Sequence, residues 1–242
     1  MKGDANIAAL GSVLADERRC RILMALGDGR ALPATVLADE AGVAASTASE
    51  HLRRLEAARL VRVERHGRHR YFRLAGPQVG ELLEVLSRLA PAAPVRSLRE
   101  GTKAEALRSA RTCYDHLAGR LGVALMDALL EQELLDGGDG RPRPCERLAA
   151  PGREVDYRLT DGGARRLREL GVDLDALPRR RAAIRYCVDW SEQRHHLAGA
   201  IAAALTARMF DLGWIRRART SRAVRVTDRG RAGLWDAFGL AA

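Results

Sequence analysis

Between residues 44 and 74 the apolar residues change period, and that change leaves few folds open. In AASTASEHLRRLEAARLV, residues 44–61, Ala48, Leu52 and Leu55 recur at helical spacing and form one stripe. In LVRVERHGRHRYFRLAG, residues 60–76, Val61 and Val63 alternate with Arg62 and Glu64. His66-Gly67-Arg68-His69 then turns the chain, and Tyr71 to Leu74 return as a second strand. Upstream, ERRCRILMALGDG (17–29) places Ile22, Leu23 and Leu26 at helical spacing before Gly27 and Gly29 stop the helix. PATVLADEAGV (33–43) starts a second helix at Pro33, turns Val36 and Leu37 inward and ends at Gly42. Two short helices joined by a glycine turn, followed by a hairpin, make a helix-turn-helix with a wing.

The outward faces carry the chemistry. Ser46, Thr47, Ser49, Glu50 and Arg53 lie off the apolar stripe of the second helix. Small polar side chains let a helix sit deep in a major groove and bond to base edges. From Arg59 to Arg73 there are six Arg and one Glu, with His66 and His69 at the hairpin tip. His51, Arg54, Arg65, Arg68 and Arg70 are expected to hold phosphates, which gives affinity but little sequence information. The expected partner is double-stranded operator DNA.

The same residues resemble the winged-helix domain of ArsR-type bacterial repressors. The matching stretches are LADERRCRILMAL (14–26), LADEAGVAASTASEHLRRLEAARLVRVERHGRHRYFRL (37–74) and VGELLEVLSRLA (79–90). Two departures stand out. Ala44 occupies a position where the family often has a capping Ser, and ATVLADEAG (34–42) lacks the Cys pair that metal-sensing members often carry there. The resemblance implies a homodimer, and the amphipathic stretches around residues 6–14 and 79–90 resemble its dimer-forming helices.

Net charge supports a polyanionic partner less than its size suggests. The chain has 242 residues and a net charge of +10, but all of its 41 basic residues except Lys2 and Lys103 are Arg. An arginine-heavy genome would produce the same excess, so placement must carry the argument. Hydrophobic residues make up 47% and aromatics 4%, so Leu, Ala and Val must fill the core. The four cysteines are scattered without a CxxC pair, which suits a reducing cytoplasm. No stretch reaches the roughly 20 apolar residues of a membrane span, so a cytoplasmic protein without membrane contact is expected.

PAAPVRSLREG (91–101) reads as a linker between a DNA-binding domain (1–90) and a second domain (102–242). The second domain contains an internal repeat, about 102–176 and 177–242. His116-Leu117-Ala118-Gly119 matches His196-Leu197-Ala198-Gly199, and Thr160-Asp161-x-Gly163 matches Thr227-Asp228-x-Gly230. Each copy reads as helix, strand, turn, strand, helix, with Thr160 and Thr227 capping the closing helix. The expected class is mainly α with small β-hairpins (α+β): a winged helix-turn-helix followed by two degenerate winged-helix-like repeats. Residues 215–231 hold seven Arg against Asp228, so the last hairpin could also meet DNA, or could be solvated.

Cys113, His116, Cys187, His195 and His196 are the candidates for an effector or metal site. Cys113 and His116 would share a face of a helix, and His116 and His196 occupy equivalent repeat positions. Thiolate and imidazole suit Zn²⁺, Cu⁺ or another thiophilic ion, and heme is conceivable. Three observations favour a structural role instead. Buried Cys is commonly a small hydrophobe, and His before Leu-Ala-Gly could bond a backbone carbonyl. Counting by equal spacing also aligns Cys113 with Gln193 rather than Cys187. No cofactor is required on this reading; a metal or heme effector is an alternative that these residues do not favour, as is an apolar effector pocket. No nucleophile with its base and oxyanion hole is evident, so no enzyme is expected. The expected function is a sequence-specific transcriptional repressor released by an unknown small-molecule effector. The alternative is a constitutive architectural or partner-binding protein.

Overall fold

A computed structural model describes residues 4–67, 69–91, 94, 97–143 and 155–241. Its contacts separate the chain into two units. The first holds residues 1–83 with 219–222, and the second holds residues 84–218 with 223–242.

The first unit opens with α1 (Ile7–Leu14) and α2 (Glu17–Ala25), capped by the side chains of Asn6 and Asp16. Strand β1 (Leu32–Pro33) leads into α3 (Ala34–Ala41) and α4 (Ala45–Ala57). Between them Gly42 takes a left-handed conformation (φ 66°) and closes α3 onto the carbonyls of Ala38 and Asp39. Strands β2 (Val61–His66) and β3 (His69–Leu74) pair antiparallel, and β1 adds to β3. Ile22, Leu23, Leu26, Leu37, Leu52, Leu55 and Phe72 form the core. The helical stripe and the alternating hairpin therefore bury the side chains that their periods assign. Helix α4 starts at Ala45 with Ala44 at its N-cap and no side-chain cap, so neither Ser46 nor Thr47 replaces the missing serine.

Helix α5 (Pro77–Leu89) spans the boundary, which falls between Leu83 and Glu84. The stretch read as a linker is partly helical: α6 (Leu98–Ser109) begins at Leu98, with the Ser97 side chain accepting from the Glu100 amide. The low demand of an exposed helix on apolar spacing explains why Pro-rich composition hid it, although the Ser97 cap was an available start signal.

In the second unit the order hairpin, helix, hairpin, helix occurs twice. First come β4 (Arg111–Cys113), β5 (His116–Ala118), α7 (Gly119–Glu131), β6 (Leu135–Asp136), β7 (Arg158–Leu159) and α8 (Asp161–Glu169). Then come β8 (Arg185–Val188), β9 (His195–Ala198), α9 (Ala200–Asp211), β10 (Ile215–Arg217), β11 (Val224–Val226) and α10 (Asp228–Phe238). Each copy holds the expected order helix, strand, strand, helix and adds a leading hairpin that the sequence reading lacked. His-Leu-Ala-Gly is not helical; His, Leu and Ala form a strand and Gly stands at the start of the following helix.

Thr160 and Thr227 cap α8 and α10, each accepting from the glycine amide three residues on at 2.9 Å. Those glycines let the helix touch the hairpin. A Cβ on Gly163 would stand 2.0 Å from the Leu134 carbonyl, and one on Gly230 1.9 Å from that of Trp214. The core joins the two copies through Leu125, Met126, Leu129, Tyr186, Leu197, Leu205, Met209 and Phe238.

Candidate functional site

Helix α4 presents Ser46, Thr47, Ser49, Arg53 and Arg54 to solvent, while Ala48, Leu52 and Leu55 anchor its other side. Glu50 is half-buried and already engaged. Its carboxylate accepts from Arg53 at 2.8 and 2.9 Å and from Arg54 at 2.9 Å. These bonds hold the Glu50 carboxyl down at about 2. Glu50 was expected to read bases; in the free chain it braces two arginines. His51, expected on a phosphate, is also half-buried.

The wing separates balanced from unbalanced charge. At its base Glu64 pairs with Arg73 at 3.0 Å and Arg62 at 3.4 Å. Toward the tip Arg65 stands directly across from Arg70, and His66 from His69, all four exposed. Like charges directly opposite destabilise a hairpin, so this end is suited to a polyanion. Arg68 lies outside the described residues. In the last hairpin Arg216 faces Arg225 in the same way and both are exposed, whereas Arg222 is buried.

The second unit brings four of the five candidate Cys and His residues together. One donor atom from each of Cys113, His116, Cys187 and His196 lies within 4.8 Å of all the others, and all four residues are buried. The local cause is strand register. Cys113 pairs directly with His116 in β4–β5, and Cys187 with His196 in β8–β9. Arg111 and Ala118 likewise match Arg185 and Ala198. Cys113 is therefore the counterpart of Cys187, not of Gln193. Equal-spacing alignment fails because one hairpin turns through Tyr114 and Asp115 alone, the other through residues 189–194. The earlier placement of Cys113 and His116 on a helix face is corrected with it: they are cross-strand neighbours.

His195 is excluded from the cluster by the alternation of a strand. Its ring points to the opposite face, where Nδ1 lies 2.8 Å from the Tyr157 hydroxyl and the ring lies 4.1 Å from that of Tyr186. The groove bordered by Tyr157, Ile184 and Tyr186 is lined by none of the five candidates.

Each clustered imidazole has a carboxylate behind it. Asp115 Oδ1 lies 3.3 Å from His116 Nδ1, and Asp189 Oδ2 lies 3.3 Å from His196 Nδ1. Each carboxylate has its own arginine. Arg181 donates to Asp115 at 2.9 Å, and the fully buried Arg111 lies 3.0 Å from Asp189. Asp189 also accepts from the Gly119 amide at 2.6 Å and the Ser191 hydroxyl at 2.7 Å. Burial opposes ionisation of both acids, yet the His and Arg partners hold them well below the usual carboxylate range. Contact with Cys187 and burial push the Cys113 thiol up to about 12. Burial pulls His116 down, but Cys113 and Asp115 outweigh it and raise the group to about 9. Cys187 Sγ lies 3.7 Å from His116 Nε2, and the two histidine rings are 5.3 Å apart. His196 Nε2 is fully buried and makes no hydrogen bond. Asp189 and Arg111 were missed from sequence; an Asp two residues after Cys187, like Asp115 one before His116, was the available signal.

Three comparisons bear on these features. A family model described as a helix-turn-helix domain matches residues 14–64. The HTH-type transcriptional regulator YdfF of Bacillus subtilis (strain 168) is 42% identical over 227 residues, covering 93% of this chain and 94% of YdfF. The HTH-type transcriptional regulator CmtR of Mycobacterium tuberculosis (strain ATCC 25618 / H37Rv) is 39% identical over 87 residues, covering 34% of this chain and 73% of CmtR. Among solved structures, the homodimeric winged helix-turn-helix domain of Mb0332 from Mycobacterium bovis, a possible ArsR-family regulator, is 29% identical. It covers 37% of this chain and 89% of that chain, with a TM-score of 0.32. The likeness to YdfF runs through nearly the whole of both chains, and the helix-turn-helix match spans α2 through most of β2. The chain belongs to the HTH-type transcriptional regulators, and its ArsR-type likeness is confined to the N-terminal segment.

Proposed function

We propose that the chain is a homodimeric, sequence-specific repressor whose second unit binds the effector that releases it from DNA. The observation that carries the DNA-binding half is the exposed polar face of α4 beside a wing whose end sets Arg65 against Arg70. Arg53, Ser46, Thr47 and Ser49 read base edges in the major groove, and Glu50 holds Arg53 extended for that purpose. Arg54, Arg65, Arg70 and the wing histidines meet phosphates. Dimerisation is supported by α1, which buries none of its eight residues and exposes Ile7 to 76%, and by Leu89 on α5, exposed to 59%. A twofold dimer reads two half-sites about 34–36 Å apart, so an effector that changes that spacing weakens binding.

The test is a selected operator and a salt series. Arg53→Ala should relax sequence preference at one base pair in each half-site. Arg65→Ala and Arg70→Ala should weaken specific and nonspecific DNA by similar factors, each lowering the salt slope by about one. If all three variants bind the operator like the parent, α4 and the wing are not the reading surface. Loss of the chain should raise transcription from the operator-bearing promoter; a fall would make it an activator.

A further inference from the structure

We propose that Cys113, His116, Cys187 and His196 form a tetrahedral two-thiolate, two-imidazole site for one Zn²⁺-class d¹⁰ cation per chain. That this cation is the effector rests on the sensing reading above; the site itself does not.

The repeat supplies the first argument. Each hairpin contributes one sulfur and one nitrogen from directly opposed strand positions, so the site consists of two equivalent chelating pairs. Both members of the ligand set occur in both copies. Distances supply the second. Zn–S near 2.3 Å and Zn–N near 2.0–2.1 Å give tetrahedron edges of roughly 3.3–3.8 Å. One edge, Cys187 Sγ to His116 Nε2, is already 3.7 Å, and the widest donor separation is 4.8 Å. Closing it takes about 1 Å of side-chain movement. The third argument is the buried imidazole: neither ring nitrogen of His196 meets hydrogen-bond geometry, Nδ1 lying 3.3 Å from Asp189 and Nε2 among the thiols.

The surroundings fit a cation rather than a void. Asp115 and Asp189 stand at the Nδ1 atoms, which leaves Nε2 of each histidine as the ligand and fixes its ring. Two thiolates neutralise a divalent ion. The two carboxylates are balanced by Arg181 and Arg111, so the occupied site adds no net buried charge. Ala118 and Ala198 pack against the two cysteines and close the floor to water. Arg88, on the part of α5 that belongs to the second unit, makes a long hydrogen bond (3.4 Å) to the Val188 carbonyl beside Cys187.

The experiment uses the full, reduced, metal-free chain titrated with Co²⁺. The expected result is one Co²⁺ per chain, an intense tetrahedral visible band, and a thiolate charge-transfer band that Zn²⁺ abolishes. Cys113→Ser and Cys187→Ser should each weaken binding more than about 100-fold, beyond the usual effect of removing a supporting group. Cys20→Ser should bind like the parent. Circular dichroism melting identifies variants that fail to fold; in that case Cys113→Ala and Cys187→Ala, which add no polar atom to the buried site, take their place and should weaken binding by the same factor. Absence of the band in the folded parent, its survival in the folded double cysteine variant, or a Cys113–Cys187 disulfide that excludes Co²⁺ under reducing conditions overturns the site. Operator affinity with and without Zn²⁺ tests the sensing reading separately. Tight Zn²⁺ binding with unchanged operator affinity keeps the site and removes the regulatory role.

Discussion

Asp189 is fully buried yet serves five residues: the Arg111 guanidinium, the Gly119 and Glu192 amides, Ser191 and His196. Arg111 is equally buried and lies 4.4 Å from the Trp190 ring. Removing one member of such a pair strands the other charge away from water, at about 3–5 kcal/mol. Asp189→Asn is therefore expected to lower the urea midpoint by an amount worth about 3 kcal/mol with the m value unchanged. Adding Arg111→Met should recover part of the loss. If Asp189→Asn alone is as stable as the parent, the pair contributes nothing to folding.

At the scale of elements, glycine conformation makes opposite predictions at two sites. Gly119 opens α7 at φ 75°, and a Cβ there would stand 2.5 Å from the Arg108 carbonyl. Gly119→Ala should cost more than about 1 kcal/mol. Gly11 lies inside α1 with nothing within 4 Å of its Cβ position, so Gly11→Ala should gain about 0.5–1 kcal/mol. Thermal melting of the two variants should shift in opposite directions, and shifts of the same sign would contradict this account. A parallel gain of about 1 kcal/mol is expected from Ala44→Ser, which supplies the cap that α4 lacks.

The same scale explains what was legible in the sequence. The wing was readable because six-residue strands show their alternation and Gly67 marks the turn. Thr160 and Thr227 were readable because a cap is a local device. The hairpins β4–β5 and β8–β9 were not, because strands of three or four residues are too short for a period to emerge and apolar helices follow at once. Register, rather than spacing, equates Cys113 with Cys187. Two residues separate Cys113 from His116 and eight separate Cys187 from His196, so the shared geometry leaves no shared spacing. The role of Glu50 was hidden for a related reason: a carboxylate three and four residues before two arginines reads equally as a base contact or a brace.

For the whole molecule, assembly is the first issue. Ile7 and Leu89 are large, apolar and mostly exposed. Ile7→Glu combined with Leu89→Glu should give a monomer in sedimentation equilibrium and lose most operator affinity, since a single half-site forfeits the second set of contacts. A dimer that persists in the double variant would place the interface elsewhere. No helix among the described residues is long and apolar enough to cross a membrane.

The depth of the Cys-His cluster has a kinetic consequence. Its four residues are between 0 and 6% exposed. An ion cannot diffuse to donors so enclosed; it must wait until the hairpins part, an excursion whose frequency follows local stability rather than ion concentration. Exchange at such a site is slow in both directions. A regulator built on it would integrate availability over time, ignoring brief pulses and holding its state after the supply has changed.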